Sequence, residues 1–325
     1  MAPTLPESAS DDRRGPTSHL FILGLPRTGS TLTRGIVNAS PSVWVAGESH
    51  YLPQPVRLGF GQREGYLARF ARVGDITTPD GLERVANHIF SLTGKSFWAR
   101  LRTRADADRF AALLAATERA PRDLLDVAMR VFADGRPIRG EKTPHHLEHV
   151  PTLLAWYPEA RVIHTFRDPR AVYASLRYKE REEKLTRVGR AARRFGAWFD
   201  RYATLNLVRS WRRAAALHRV YAERYRDRYL LVRFEDLVAD PDGHARRIAD
   251  FIGVPFTQEM LDQVVHHSSY AEKGATAGID SSTVDRWRSL LPARTQQRLT
   301  HLAGEDLDAF GYEAPRTVGL GGLAQ

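Results

Sequence analysis

Cysteine is absent from all 325 residues. Disulfides and thiolate metal sites are therefore excluded, and the composition is compatible with a reducing compartment. Long apolar runs are missing too. No stretch approaches the roughly 18 consecutive apolar residues of a membrane-spanning helix, so no membrane span is expected. The opening "MAPTLPESASDDRRGPTS" has no apolar core of the secretory kind and reads as a disordered tail over residues 1–18. Cytoplasmic location is the expectation. Lysine is scarce: of 48 basic residues only Lys95, Lys142, Lys179, Lys184 and Lys273 are lysines, and the other 43 are arginines.

Against 38 acidic residues this leaves a formal net charge of +10. Two explanations of the arginine bias stay open, a coding-composition effect or an anionic ligand, since guanidinium matches phosphate and sulfate in bidentate geometry. A basic nucleic-acid-binding module would also carry such a charge. The aromatics, however, are not interleaved with the basic clusters in a stacking pattern, and no such binding motif appears. No nucleic-acid partner is expected.

Hydrophobic residues make up 42% and charged residues 26%, ordinary values for a globular chain of this length. Strand-like runs "HLFILG" (19–24), "VWVAGE" (43–48), "RPIRGEKTP" (136–144), "ARVIHTF" (160–166) and "YLLVRFEDL" (229–237) alternate with helical segments. Helices are expected over 30–38, through most of 79–135, over 145–155, from Pro169, over 203–227 and in "GHARRIADFIGVPF". The alternation predicts an α/β fold: a P-loop-like doubly wound parallel sheet flanked by helices, forming one domain over residues 19–314. The glycine-rich end, 315–325, reads as a flexible tail.

The stretch "FILGLPRTGSTL" (21–32) spaces Gly24 and Gly29 like the glycines of a Walker A loop. The required lysine is missing, and Ser30 stands in its place. A strand–loop–helix of this kind presents backbone N–H groups and a helix N-terminus to an anion, with Thr28, Gly29, Ser30 and Thr31 giving close approach and hydroxyls. Arg27 adds a cation inside the loop. NTP hydrolysis is disfavoured without the lysine, although a P-loop kinase with Asp168 holding magnesium stays the alternative. In "VIHTFRDPRAVYASL" (162–176) a strand delivers Arg167 at its end, and Ser175 follows on the next helix, a pair able to clamp a second phosphate.

Together these segments resemble the sulfotransferases that use 3′-phosphoadenosine-5′-phosphosulfate (PAPS). "GLPRTGSTL" is similar to their 5′-phosphosulfate loop and "FRDPRAVYAS" to their 3′-phosphate segment. "LLVRFEDLVADP", "FIGVP" and "VDRWRSLLP" resemble later stretches, and the likeness is closest to the bacterial and protein-tyrosine-sulfotransferase-like branches. The resemblance implies transfer of a sulfuryl group from PAPS to a hydroxyl, in preference to an amine, of a small-molecule acceptor without a metal. It implies catalytic roles for Arg27 and for Lys142 of "GEKTPHHL", both acting on the leaving oxygen.

The general base of the cytosolic-type enzymes is a histidine two residues after that lysine, where this chain has Pro144. The role passes to Glu48 of "GES", with His145 and His146 as alternatives. A carboxylate serving there is expected to be partly desolvated, with its pKa raised. For the 3′-phosphate, Lys273 and Gly274 of "EKGATAG" resemble a basic loop of the family, though Glu272 stands where a basic residue precedes it. Phe234 either flanks adenine or is a core aromatic, and Trp287 is read as packing. The helical insert over about 50–135 is expected to cover the acceptor site. Protein-tyrosine sulfation is disfavoured by the missing secretory signal.

Overall fold

The computed structural model describes residues 18–55, 62–182, 187–262 and 283–313. The two terminal tails and the Lys273–Gly274 pair lie outside the described residues. Among the described residues, seven strands occur in chain order: β1 (His19–Gly24), β2 (Val43–Ala46), β3 (Gln54–Pro55), β4 (Gln62–Arg63), β5 (Ile138–Lys142), β6 (Arg161–Phe166) and β7 (Tyr229–Arg233). Five of them form one sheet in the order β2-β5-β1-β6-β7, and every pairing within it is parallel. The short β3 and β4 pair separately as an antiparallel ladder.

Parallel strands require covered faces, and β1 shows how the sequence provides for both. Side chains alternate across a strand, so Phe21 and Leu23 enter one apolar cluster while Leu20 and Ile22 enter the other. The first cluster is closed by helices Pro79–Ser91, Pro121–Ala133, Val150–Trp156 and Arg187–Arg224, the second by Ser30–Asn38, Phe234–Ala239 and Pro241–Ile252. All four β1 side chains are fully buried. At about 1.5–3 kcal/mol for each such side chain, the central strand is fixed in register by both layers.

Three segments differ from expectation. β2 stops at Ala46, because the chain turns at Gly47 to leave the sheet edge. The helix expected over 145–155 is a 3-10 turn, Pro144–His149, leading into an α-helix, Val150–Trp156. The long arginine-rich helix starts well before residue 203, at Arg187, and continues to Arg224 across a kink at Gly196, whose φ of 30° only glycine adopts readily. No helix among the described residues is long and apolar enough to cross a membrane.

Candidate active site

The parallel sheet brings the C-terminal ends of five strands to one edge, where open α/β folds bind ligands. β1 runs into the loop holding Arg27, β2 leads to Glu48, and β5 ends at Lys142. Arg167 follows β6, and Phe234 follows β7. In sheet order, then, Glu48 and Lys142 lie to one side of the loop, and Arg167 and Phe234 to the other. From β1 the chain goes first to β2 on one side and later to β6 on the other, so the loop occupies the point where the winding reverses.

The loop's glycines answer specific crowding. At Gly24 (φ 144°) a Cβ would lie 2.3 Å from the Thr165 carbonyl oxygen; at Gly29 (φ 92°) it would lie 2.6 Å from Phe234 Cδ2. Arg27 also has a left-handed backbone, φ 75°, a strained conformation of the kind that gathers at ligand sites. Gly29 caps the Ser30–Asn38 helix without a side-chain hydrogen bond, and the first turn carries no acidic residue. The orphan N–H groups of that turn and its positive dipole end are thus open to an anion, with no side-chain cap or acidic residue competing. The Ser30 and Thr31 hydroxyls have no protein hydrogen-bond partner among the described residues. Thr28 is already engaged: its hydroxyl donates to Leu25 O at 2.7 Å and meets Thr165 Oγ1 at 2.8 Å. It braces the loop.

On the β6–β7 side, Arg27 Nε donates to Ser175 Oγ at 2.9 Å, so Ser175 is tied to the loop arginine. Arg167 is nearly buried. Its guanidinium stacks on Phe234 at 3.9 Å and donates from Nη2 to Thr283 O at 2.9 Å and from Nη1 to Arg27 O at 3.4 Å. The Phe234 ring lies between Gly29 and Arg167, which aligns the guanidinium by cation–π contact. Asp168, the magnesium candidate of the kinase alternative, is taken up by its own neighbour. Arg170 Nη2 meets Asp168 Oδ2 at 2.6 Å and Arg170 Nε meets Oδ1 at 3.0 Å. Arg170 in turn stacks on Trp287 at 4.3 Å, a packing role for that indole. Among the described residues, no group of three or more His, Asp and Glu side chains is placed to hold a metal ion.

On the β2–β5 side, Lys142 Nζ donates to Glu48 Oε1 at 2.6 Å across 94 residues of sequence. This overturns the expected rise in the Glu48 pKa. Burial does push its carboxyl up, but the Lys142 charge and hydrogen bond outweigh it and hold the group below the usual carboxylate range. His145 and His50 add to the lowering. His50 went unread in the sequence although it lies two residues beyond Glu48. Its Nε2 is 3.5 Å from Glu48 Oε2, its backbone φ is 50°, and its buried Nδ1 has no hydrogen-bond partner.

His146, one of the alternative bases, has both ring nitrogens occupied. Nε2 accepts from Leu52 N at 3.1 Å, so the proton is on Nδ1, which donates to the fully buried Glu141 at 2.6 Å. Glu141 also accepts from Ser49 N at 3.2 Å and from the Thr143 hydroxyl. Burial pushes the Glu141 carboxyl up, and these donors more than reverse the push, keeping it ionised. The network fastens residues 49–52 to the end of β5, and thereby sets Glu48 beside Lys142. His146 is thus engaged on both nitrogens within this network, and His145 stays near the carboxylate.

Comparisons with known proteins bear on this arrangement. Residues 19–258 match the profile of the Sulfotransferase family. Carbohydrate sulfotransferase 5 of Mus musculus is 32% identical over 47% of this chain and 42% of its own length. Protein-tyrosine sulfotransferase 1 of Danio rerio is 24% identical over 82% of this chain and 60% of its own length. The chain thus spans less than two thirds of the length of these curated relatives. The solved sulfotransferase domain of the Synechococcus PCC 7002 olefin synthase is 24% identical, with a TM-score of 0.54 over 95% of this chain and 100% of that domain, a likeness of fold.

Proposed function

The chain belongs to the sulfotransferase family, and we propose that it moves the sulfuryl group of PAPS to a hydroxyl of a small-molecule acceptor, with Glu48 as general base. The observation that carries this is the Lys142–Glu48 pair at 2.6 Å, set at the same sheet edge as an uncapped helix N-terminus. PAPS would supply the sulfuryl group and leave as adenosine 3′,5′-bisphosphate.

The chain's own part is positioning and charge. Backbone N–H groups of Gly29, Ser30 and Thr31 would hold the 5′-phosphosulfate, with Thr28 bracing them, and Arg167 and Ser175 would hold the 3′-phosphate beside Phe234. Arg27 and Lys142 would set positive charge where the leaving oxygen gains electrons. Glu48, kept ionised by Lys142, would accept the acceptor's hydroxyl proton on a carboxylate oxygen. When Lys142 turns toward the leaving oxygen, Glu48 loses its neutralising partner and becomes more basic as the proton arrives. The cysteine-free composition suits a reducing, cytoplasmic setting.

Incubation with PAPS labelled in the sulfuryl group and a panel of alcohols, phenols and amines tests the reading. Label is expected on a hydroxyl compound. Label on amines alone would overturn the hydroxyl assignment. In a parallel incubation with γ-labelled magnesium–ATP, phosphate label on the acceptor with no sulfuryl label from PAPS would overturn the sulfuryl-transfer reading.

A further inference from the structure

Three arginines from three separate segments converge on the turn that carries Glu48. Arg34 is half-buried in the Ser30–Asn38 helix, and its guanidinium packs against Gly47, where a Cβ would lie 3.6 Å from Arg34 Nη1. Arg100 belongs to the 3-10 helix Trp98–Thr103, which is pinned to the same turn by the Trp98 indole donating to Ser49 O at 2.8 Å. Arg63 lies opposite Gln54 in the β3–β4 ladder. Its segment is tied to the turn by two backbone bonds of 2.9 Å, Tyr66 N to His50 O and Leu67 N to Tyr51 O.

None of the three makes an ion pair or a side-chain hydrogen bond among the described residues. The nearby carboxylate is spent, since Glu48 Oε1 is held by Lys142 at 2.6 Å and Oε2 faces His50 at 3.5 Å. Burial, and then the like charge of Arg100, lower the Arg34 pKa, while Glu48 offsets only part of this. Likewise the charge of Arg63 reaches His50, the residue next but one to Glu48. Arg34 is half-buried while Arg100 and Arg63 are exposed. A partly desolvated guanidinium crowded by like charge is costly in the free protein, and an oxyanion bound among the three relieves that cost through charge-assisted bonds. These cations stand on the β2 side of the loop, away from the Arg27–Ser175 and Arg167–Phe234 contacts. An anion there is therefore part of the acceptor rather than of the nucleotide.

We propose that Arg34, Arg100 and Arg63 form a subsite for an oxyanion carried by the acceptor, so that the substrate is an alcohol or phenol bearing a carboxylate, phosphate or sulfate group. The anion fixes the acceptor at one end and aims its hydroxyl at Glu48. This rests on the sulfotransferase reading of the same site.

The test uses the full chain saturated with adenosine 3′,5′-bisphosphate and titrated calorimetrically, at fixed ionic strength, with phenyl phosphate and with phenol. Phenyl phosphate is expected to bind and phenol not to bind at matched concentration. The double variant Arg34→Gln/Arg100→Gln should weaken phenyl phosphate by about tenfold or more, in line with the loss of charge-assisted bonds, and leave the nucleotide affinity within about twofold. Arg63→Gln, an exposed change without risk to folding, should weaken it in the same direction. Absence of phenyl phosphate binding, equal binding by wild type and variants, or loss of nucleotide affinity in the variants would each overturn the subsite. Failure of the nucleotide itself to bind would count against the sulfotransferase reading, and the same titration of the unloaded chain would then decide the subsite separately.

Discussion

Glu48→Gln is expected to lower kcat by roughly 10²–10⁴-fold, the range found when a general base is removed. Glutamine preserves shape and can still receive the Lys142 hydrogen bond through its carbonyl oxygen, but it cannot accept the acceptor's proton. Affinity for adenosine 3′,5′-bisphosphate should stay nearly constant, because the groups assigned to that nucleotide lie in the loop and across it from Glu48. The pH dependence gives a second signature. With its pKa lowered by Lys142, Glu48 stays ionised until the medium falls below the usual carboxylate range, so the acidic limb of kcat/KM belongs below that range. The limb should vanish in Glu48→Gln. In Lys142→Met the main cause of the lowering is gone, so the limb should move to higher pH. If Glu48→Gln stays active while His145→Ala loses the limb, the base is His145.

Arg167→Ala is expected to weaken adenosine 3′,5′-bisphosphate by about 2–4 kcal/mol, or roughly 30- to 1,000-fold, as for a nearly buried charge-assisted partner. The guanidinium also donates to Thr283 O and stacks on Phe234, so part of any loss could come from local rearrangement. Adenosine 5′-monophosphate, which has no 3′-phosphate, separates the two. A specific clamp loses the bisphosphate far more than the monophosphate. Equal losses would mean that Arg167 supports the loop and does not contact the 3′-phosphate.

The architecture was largely legible because its signals are local. The apolar runs of β1 and β6, the glycine spacing at Gly24 and Gly29, and proline at the start of the Pro169–Glu182 helix each act within a few residues. What escaped depends on contacts between distant segments. Strand order is one case: the insertion of β5 between β2 and β1 is what sets Lys142 beside Glu48, and it reverses the expected direction of the Glu48 pKa. The burial of Glu141 and the use of His146 within its network required knowing how residues 49–52 fold back on β5. Ser175 bonding to Arg27 was hidden for the same reason, since 148 residues separate the two. His50 and Arg34 carry no motif of their own. Only the turn after β2 reveals them.

Equilibrium binding of adenosine 3′,5′-bisphosphate, measured beside adenosine 5′-monophosphate and ATP with magnesium, tests the central claim most directly. The loop lacks the Walker lysine, its helix N-terminus is uncapped, and the carboxylate of Asp168 is bound to Arg170. The bisphosphate should therefore bind most tightly, without need of magnesium, and exceed the monophosphate by about tenfold or more through the Arg167 side. Tighter binding of magnesium–ATP than of the bisphosphate would contradict a PAPS-dependent sulfotransferase and restore the kinase alternative.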